Sequence, residues 1–257
     1  MNTTLQPLFL GRLVESRICP ERIGKEKLFE ADALPGKIIR FDRLGSVSRK
    51  NWTSKDPIET VQSARELYAE LGSRYGIVAP VEYVVMGDTV YGITDRIRGH
   101  DLSRVEVIPA VARAVESLYE TLARYYLDKT LAGHGQYLTD INGLRQYVYG
   151  CRDGDLSPSI YLVDTDLYLK DGRVSLCNVV LWFCRLMFDA ERRFGFRFIG
   201  ARKIIWEVLE VPLPPVMTSE HRLLAKQIRD RTAGYLDGSK KMDFPEKDAN
   251  PVFSSLD

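Results

Sequence analysis

Two carboxylates stand two residues apart where an apolar run ends: Asp164 and Asp166 close the segment 161–166, YLVDTD. Carboxylate oxygens are hard ligands suited to a divalent cation, and the same pair equally well opens a β-turn. Asp140 lies in a glycine-containing stretch without periodicity, AGHGQYLTDINGLR (132–145), where the local pattern makes it a turn or capping residue. On the basic side, Arg40 ends the apolar strand segment Ile38-Ile39-Arg40, and Lys37, three residues earlier, falls on the opposite strand face.

Other chemistries are poorly served. The chain has three histidines, none paired at i, i+4, so a zinc hydrolase built on histidine is not expected. Its four cysteines form no CxxC pair; Cys177 and Cys184, seven apart on an apolar stretch, read as small hydrophobes on one helix face. There is no G-x-S-x-G elbow, no GxxxxGK[ST] loop and no GxGxxG. Lys plus Arg number 36 against 35 Asp plus Glu, a net charge of +1, which gives no support to nucleic-acid binding. The longest greasy run, within 176–188, is interrupted by Asn178 and Arg185 and is too short to span a bilayer, so no membrane insertion is expected. With no disulfide framework, a cytoplasmic location is the expectation.

The elements that must position these residues follow from pattern. Lys37–Phe41 reads as the best early strand, after the Pro35-Gly36 turn, with weaker strands at Leu8–Val14 and Lys27–Phe29. A helix begins with Asp56 as N-cap and Pro57 at N1, carries an apolar stripe at Ile58, Val61, Ala64, Tyr68, Leu71 and Tyr75, and Gly72 and Gly76 mark its end. Glu82–Met86 and Val90–Ile93 form a hairpin around Gly87-Asp88. A polar link ends near Ser103, and a helix runs from there to 129. Gln146–Tyr149 and Ile160–Asp164 are short strands, followed by helices at about 175–194, 200–209 and 218–235.

This order resembles the protein-kinase-like fold, in the smaller bacterial form of aminoglycoside, choline and lipopolysaccharide-sugar kinases, over residues 5–235. The resemblance implies an α+β, bilobal fold. A small antiparallel sheet with one helix makes an N-lobe over 1–98. A mainly helical C-lobe covers 99–236, and a loosely ordered tail 237–257. The cleft between such lobes is the natural ligand site.

What the resemblance implies for residues is specific. Arg40 takes the position of the phosphate-anchoring strand lysine, and Lys37, three residues earlier, is the other basic candidate on that strand. The helix after Asp56 supplies a carboxylate partner for that base, Glu66 being preferred over Glu59 and Glu70. In one register of the catalytic loop His134-Gly135-Gln136 matches a His-Gly-Asp start. In the preferred one Asp140 is the proton acceptor and Gln146 replaces the metal-binding Asn. Asp164 and Asp166 match the Mg²⁺-binding Asp-x-Asp/Glu variant after the second C-lobe strand. The implied cofactors are ATP and Mg²⁺, and the implied reaction is phosphoryl transfer to a hydroxyl of a small molecule or protein. Three departures favour the alternative, a pseudokinase acting as a binding or scaffold module. They are a nucleotide loop with Gly24 alone, Arg for Lys, and a catalytic-loop spacing of six.

Overall fold

The computed structural model describes residues 18–19, 28–31, 36–43, 56–133, 135–165, 167 and 169–239. The fold is α+β, with small antiparallel sheets and, among the described residues, five α-helices, in the element order that the kinase-like resemblance implies. The strands expected over Leu8–Val14, the Gly24 turn and the tail from 240 onward lie outside the described residues.

The chain divides into two compact units. One comprises residues up to Val105 together with Arg145–Leu169; the other comprises Glu106–Leu144 and the chain from Lys170 onward. The first unit contains a five-stranded antiparallel sheet in the order β1-β2-β3-β5-β4. Its strands are β1 (Ile18–Cys19), β2 (Leu28–Ala31), β3 (Lys37–Arg43), β4 (Val81–Met86) and β5 (Thr89–Asp95). The β4–β5 hairpin turns at Gly87-Asp88, where Gly87 has φ 58, the left-handed conformation that a side chain disfavours. One face of the sheet is apolar: Ile39, Val84 and Ile93 pack together with Met86 and Tyr91.

Helix α1 (Pro57–Tyr75) covers the opposite face. Asp56 accepts from the Ile58 amide at 2.8 Å, Pro57 fills N1, and Gly76 ends the helix at φ 68. Val61, Ala64, Leu67, Tyr68 and Leu71 form its buried stripe, and the Tyr68 and Tyr83 rings stand 6.2 Å apart. Ile58, expected on that stripe, is 55% exposed because it sits in the first turn, ahead of the sheet contact.

A second, three-stranded sheet in the same unit has the order β6-β8-β9, from Arg98–Asp101, Tyr147–Cys151 and Ser159–Leu162. Strand β6 falls within the expected polar link. It has no apolar alternation to announce it and is held by main-chain pairing with β8, Gly99 lying opposite Gly150. A Cβ on Gly99 would sit 2.1 Å from the Tyr149 carbonyl oxygen, and one on Gly150 2.3 Å from that of Arg98, so neither position admits a side chain.

The second unit is helical. Helix α2 (Pro109–Ala132) begins later than the expected 103. Asp101 caps a separate turn by accepting from the Ser103 amide at 3.0 Å, and Pro109, lacking an N–H, takes N1 of the helix. After the two-residue strand β7 (Tyr137–Leu138) and strand β10 (Leu169–Lys170) come α3 (Arg173–Phe194), α4 (Ile199–Glu210) and α5 (Ser219–Leu236). Helix α2 packs on α4, and α3 on α5. Tyr119, Tyr126, Phe183 and Phe198 fill the centre, with ring centroids 5.3 to 5.7 Å apart where they meet. No helix among the described residues is long and apolar enough to cross a membrane.

Candidate functional site

Strand period two places Ile39 in the apolar core of the sheet and turns Arg40 to the α1 side. There the register aligns Arg40 on β3, Gly92 on β5 and Tyr83 on β4 in one row. Gly92 keeps this row low: a Cβ there would already stand 3.4 Å from the Tyr83 ring. The two flanking side chains reach the same acceptor. The Arg40 Nη2 donates to the Thr165 carbonyl at 2.7 Å, and the Tyr83 hydroxyl donates to that carbonyl as well. Tyr83 is itself held from α1, since Arg65 donates to its main-chain oxygen.

The other Arg40 nitrogen, Nη1, lies 3.3 Å from Asp164 Oδ1. The two residues are 124 apart in sequence, and their side chains are 19% and 23% exposed. Asp164 follows β9, whose course is fixed by its pairing with β8 and by a parallel bridge between Val78 and Tyr161. The Leu162 amide donates to the Val78 carbonyl at 2.9 Å. The Val163 amide at 2.8 Å and the Asp164 amide at 3.3 Å both donate to the Gln146 carbonyl. Gln146, 8% exposed, thus locks the strand end that presents Asp164.

The remaining expected site residues are distributed as follows. Lys37 pairs with Asp95, its direct cross-strand partner, on the sheet face away from Arg40. Asp95 also has Arg152 Nη1 at 3.9 Å. Glu66 is exposed on α1 and accepts from Gln62 Nε2 at 3.4 Å. Asp166 and His134 lie outside the described residues. Asp140 belongs to the helical unit, half-buried in the bend after β7.

The segment around Asp140 is pinned on both sides. The Leu138 amide donates to the Tyr125 hydroxyl at 3.0 Å, and Ile141 is fully buried. Asn142 is 2% exposed; its Oδ1 accepts from the Tyr126 hydroxyl at 2.7 Å and its main-chain oxygen from that of Tyr119 at 2.9 Å. The Asn142 amide oxygen is therefore committed to the core. Burial pushes the Tyr119 phenol far above its ordinary range, with the Asp189 charge adding to it, so the hydroxyl remains a donor.

Chemically, Arg40 and Asp164 make a neutral pair of a forked donor and a carboxylate. A guanidinium of this kind suits phosphate oxygens, and a carboxylate suits Mg²⁺. No three His, Cys, Asp or Glu side chains cluster into a metal site among the described residues. Magnesium is commonly held by one or two carboxylates plus substrate phosphates, so this donor set fits a cation that arrives with phosphates and not one bound by protein alone. Tyr83, Gly92 and Thr165 build the cluster without any motif that would mark them; Tyr83 and Gly92 share a row with Arg40, and Thr165 joins it through its carbonyl.

No family model matches the chain, and no curated protein sequence does. Among solved structures it is similar to a microcompartment-associated aminopropanol kinase at 10% identity and a TM-score of 0.36, over 89% of this chain and 95% of that one. It is similar to the Rio2 kinase of Chaetomium thermophilum at 16% identity and a TM-score of 0.42, over 92% and 76% of the two chains. A third similarity, to the bifunctional kinase-methyltransferase WbdD, has 12% identity and a TM-score of 0.39, over 82% of this chain and 51% of that one.

Proposed function

We propose that the protein is a kinase-like phosphotransferase that binds ATP with Mg²⁺ and transfers the γ-phosphoryl group to a hydroxyl of a small molecule or protein. The observation that supports this reading is the Arg40–Asp164 pair, 3.3 Å between two residues that the sequence singled out separately for phosphate and metal. In this reading Arg40 steadies nucleotide phosphates. Asp164, with Asp166 or Gln146, holds the metal, and Asp140 accepts the hydroxyl proton. Bound Mg²⁺ supplies charge neutralisation across the transferring phosphoryl oxygens. Positioning and charge neutralisation are most of what such a reaction asks of the protein.

The same contact favours a second reading, a pseudokinase that binds without turnover. Arg40 already pairs with Asp164 Oδ1, so a metal on that oxygen competes with it. A ligand that brings both a phosphate for Arg40 and a cation for Asp164 exchanges partners instead of breaking a pair.

Thermal unfolding with ATP, with Mg²⁺, and with both tests this. The expected result is a rise in Tm that requires both and is lost in Asp164→Ala. No shift at millimolar MgATP would remove the nucleotide reading. Conversion of ATP to ADP with a hydroxyl acceptor, lost in Asp140→Ala, separates the enzyme from the pseudokinase.

A further inference from the structure

The helical unit holds a second charged group, unrelated to the residues above. Arg173 opens α3 and is 8% exposed. Its Nε donates to the Gly133 carbonyl at 2.8 Å, while its Nη1 is buried without a hydrogen-bond partner. Arg229 on α5 spends its Nη1 on the Leu209 and Val211 carbonyls, at 3.3 and 2.6 Å. Among the described residues neither guanidinium is paired with a carboxylate.

Both line one cavity of about 10 Å³, together with Cys177, Thr130, Thr232 and aliphatic side chains. That volume accommodates one particle of about the size of a water molecule. Two cations facing a mostly aliphatic space without a counter-charge are unfavourable. Burial, and the nearby Arg229 charge after it, pull the Arg173 guanidinium below its ordinary range. Cys177 does not supply the missing charge, because burial pushes its thiol up and keeps it protonated. The unpaired Nη1 gives such a particle a donor to meet.

We propose that this cavity binds a single monoatomic anion of the chloride class, held by Arg173 and Arg229 and joining the start of α3 to α5. The site is separate from the Arg40–Asp164 cluster and does not depend on the reading of that cluster.

The full chain is tested by following Tm as sodium gluconate is replaced by sodium chloride, and then bromide, at constant ionic strength. The expected outcome is a saturable rise of roughly 3 °C at ten times the dissociation constant. Arg173→Met should abolish it. Crystals grown in bromide should show an anomalous peak between Arg173 and Arg229, a measurement that needs no variant and so stands whether or not Arg173→Met folds. Ordinary water density without an anomalous signal would overturn the proposal. So would a rise linear in salt, or one unchanged in Arg173→Met.

Discussion

Arg40 serves two acceptors at once, and its replacement separates them. Arg40→Ala leaves Asp164 without this partner and the buried Thr165 carbonyl with Tyr83 as its remaining donor. Such charge-assisted contacts, partly screened by solvent, contribute about 1–3 kcal/mol. Arg40→Ala should lower the urea unfolding free energy by about that amount. Arg40→Lys, with the charge but not the planar fork, should recover only part of it. Full recovery would mean that charge alone matters here. A second residue-scale expectation concerns Asp155. The Tyr161 hydroxyl at 2.5 Å, and then the Arg152 amide at 2.7 Å, hold its carboxyl below the ordinary range. The unfolded chain therefore takes up that proton first on acidification. This stabilisation is complete above the ordinary aspartate pKa of about 4 and fades as pH falls through the lower folded value. Unfolding midpoints measured from pH 7 to pH 3 should fall less steeply in Asp155→Asn than in the parent; equal slopes would show that Asp155 is not responsible.

At the scale of elements, the tightest constraint lies where β6 meets β8. Gly99 and Gly150 face each other with no room for even a methyl group against the neighbouring carbonyls. Gly99→Ala must push the strands apart and should destabilise the protein by roughly 2 kcal/mol or more. Hydrogen exchange should show the amides of 98–101 and 147–151 losing protection before those of β3–β5; unchanged protection would refute the close approach. This ladder also marks where sequence reading stops. Helix α1 was legible because a cap, a proline and a periodic stripe agree on it, and Arg40 and Asp164 were legible because each directly follows an apolar run, Ile38-Ile39 and Tyr161-Leu162-Val163. Strand β6 carries its information in backbone pairing and missing side chains, which leave no periodic trace. The cluster around Arg40 was half legible for the same reason. Thr165 contributes a carbonyl that every residue type has, and Tyr83 reads simply as a strand aromatic. The anchoring of Asn142 by Tyr119 and Tyr126 depends on helix α2 lying beside a loop, which no local spacing encodes.

At the scale of the molecule, the units are interleaved along the chain. Residues 145–169, which carry β8, β9 and Asp164, complete the unit that begins at the N-terminus, yet are flanked by segments of the helical unit. A fragment ending at Val105 keeps the five-stranded sheet and α1 but strips β6 of its ladder, the Val78 carbonyl of the Leu162 amide and Arg40 of Asp164. Such a fragment should show no sharp, cooperative thermal transition by circular dichroism. A transition as steep as that of the full chain would mean that the inserted segment is dispensable for this unit.

The pairing of Arg40 with Asp164 also sets a clock. Ribosomes add about 5–20 residues each second, so the 124 positions between the two correspond to roughly 6–25 s of synthesis. Once β5 has been made, for the rest of that interval, the nascent sheet exposes a guanidinium and a tyrosine hydroxyl whose shared acceptor has not yet been made. The contact can form only as a late closure of the N-terminal unit, after all of helix α2 has been translated.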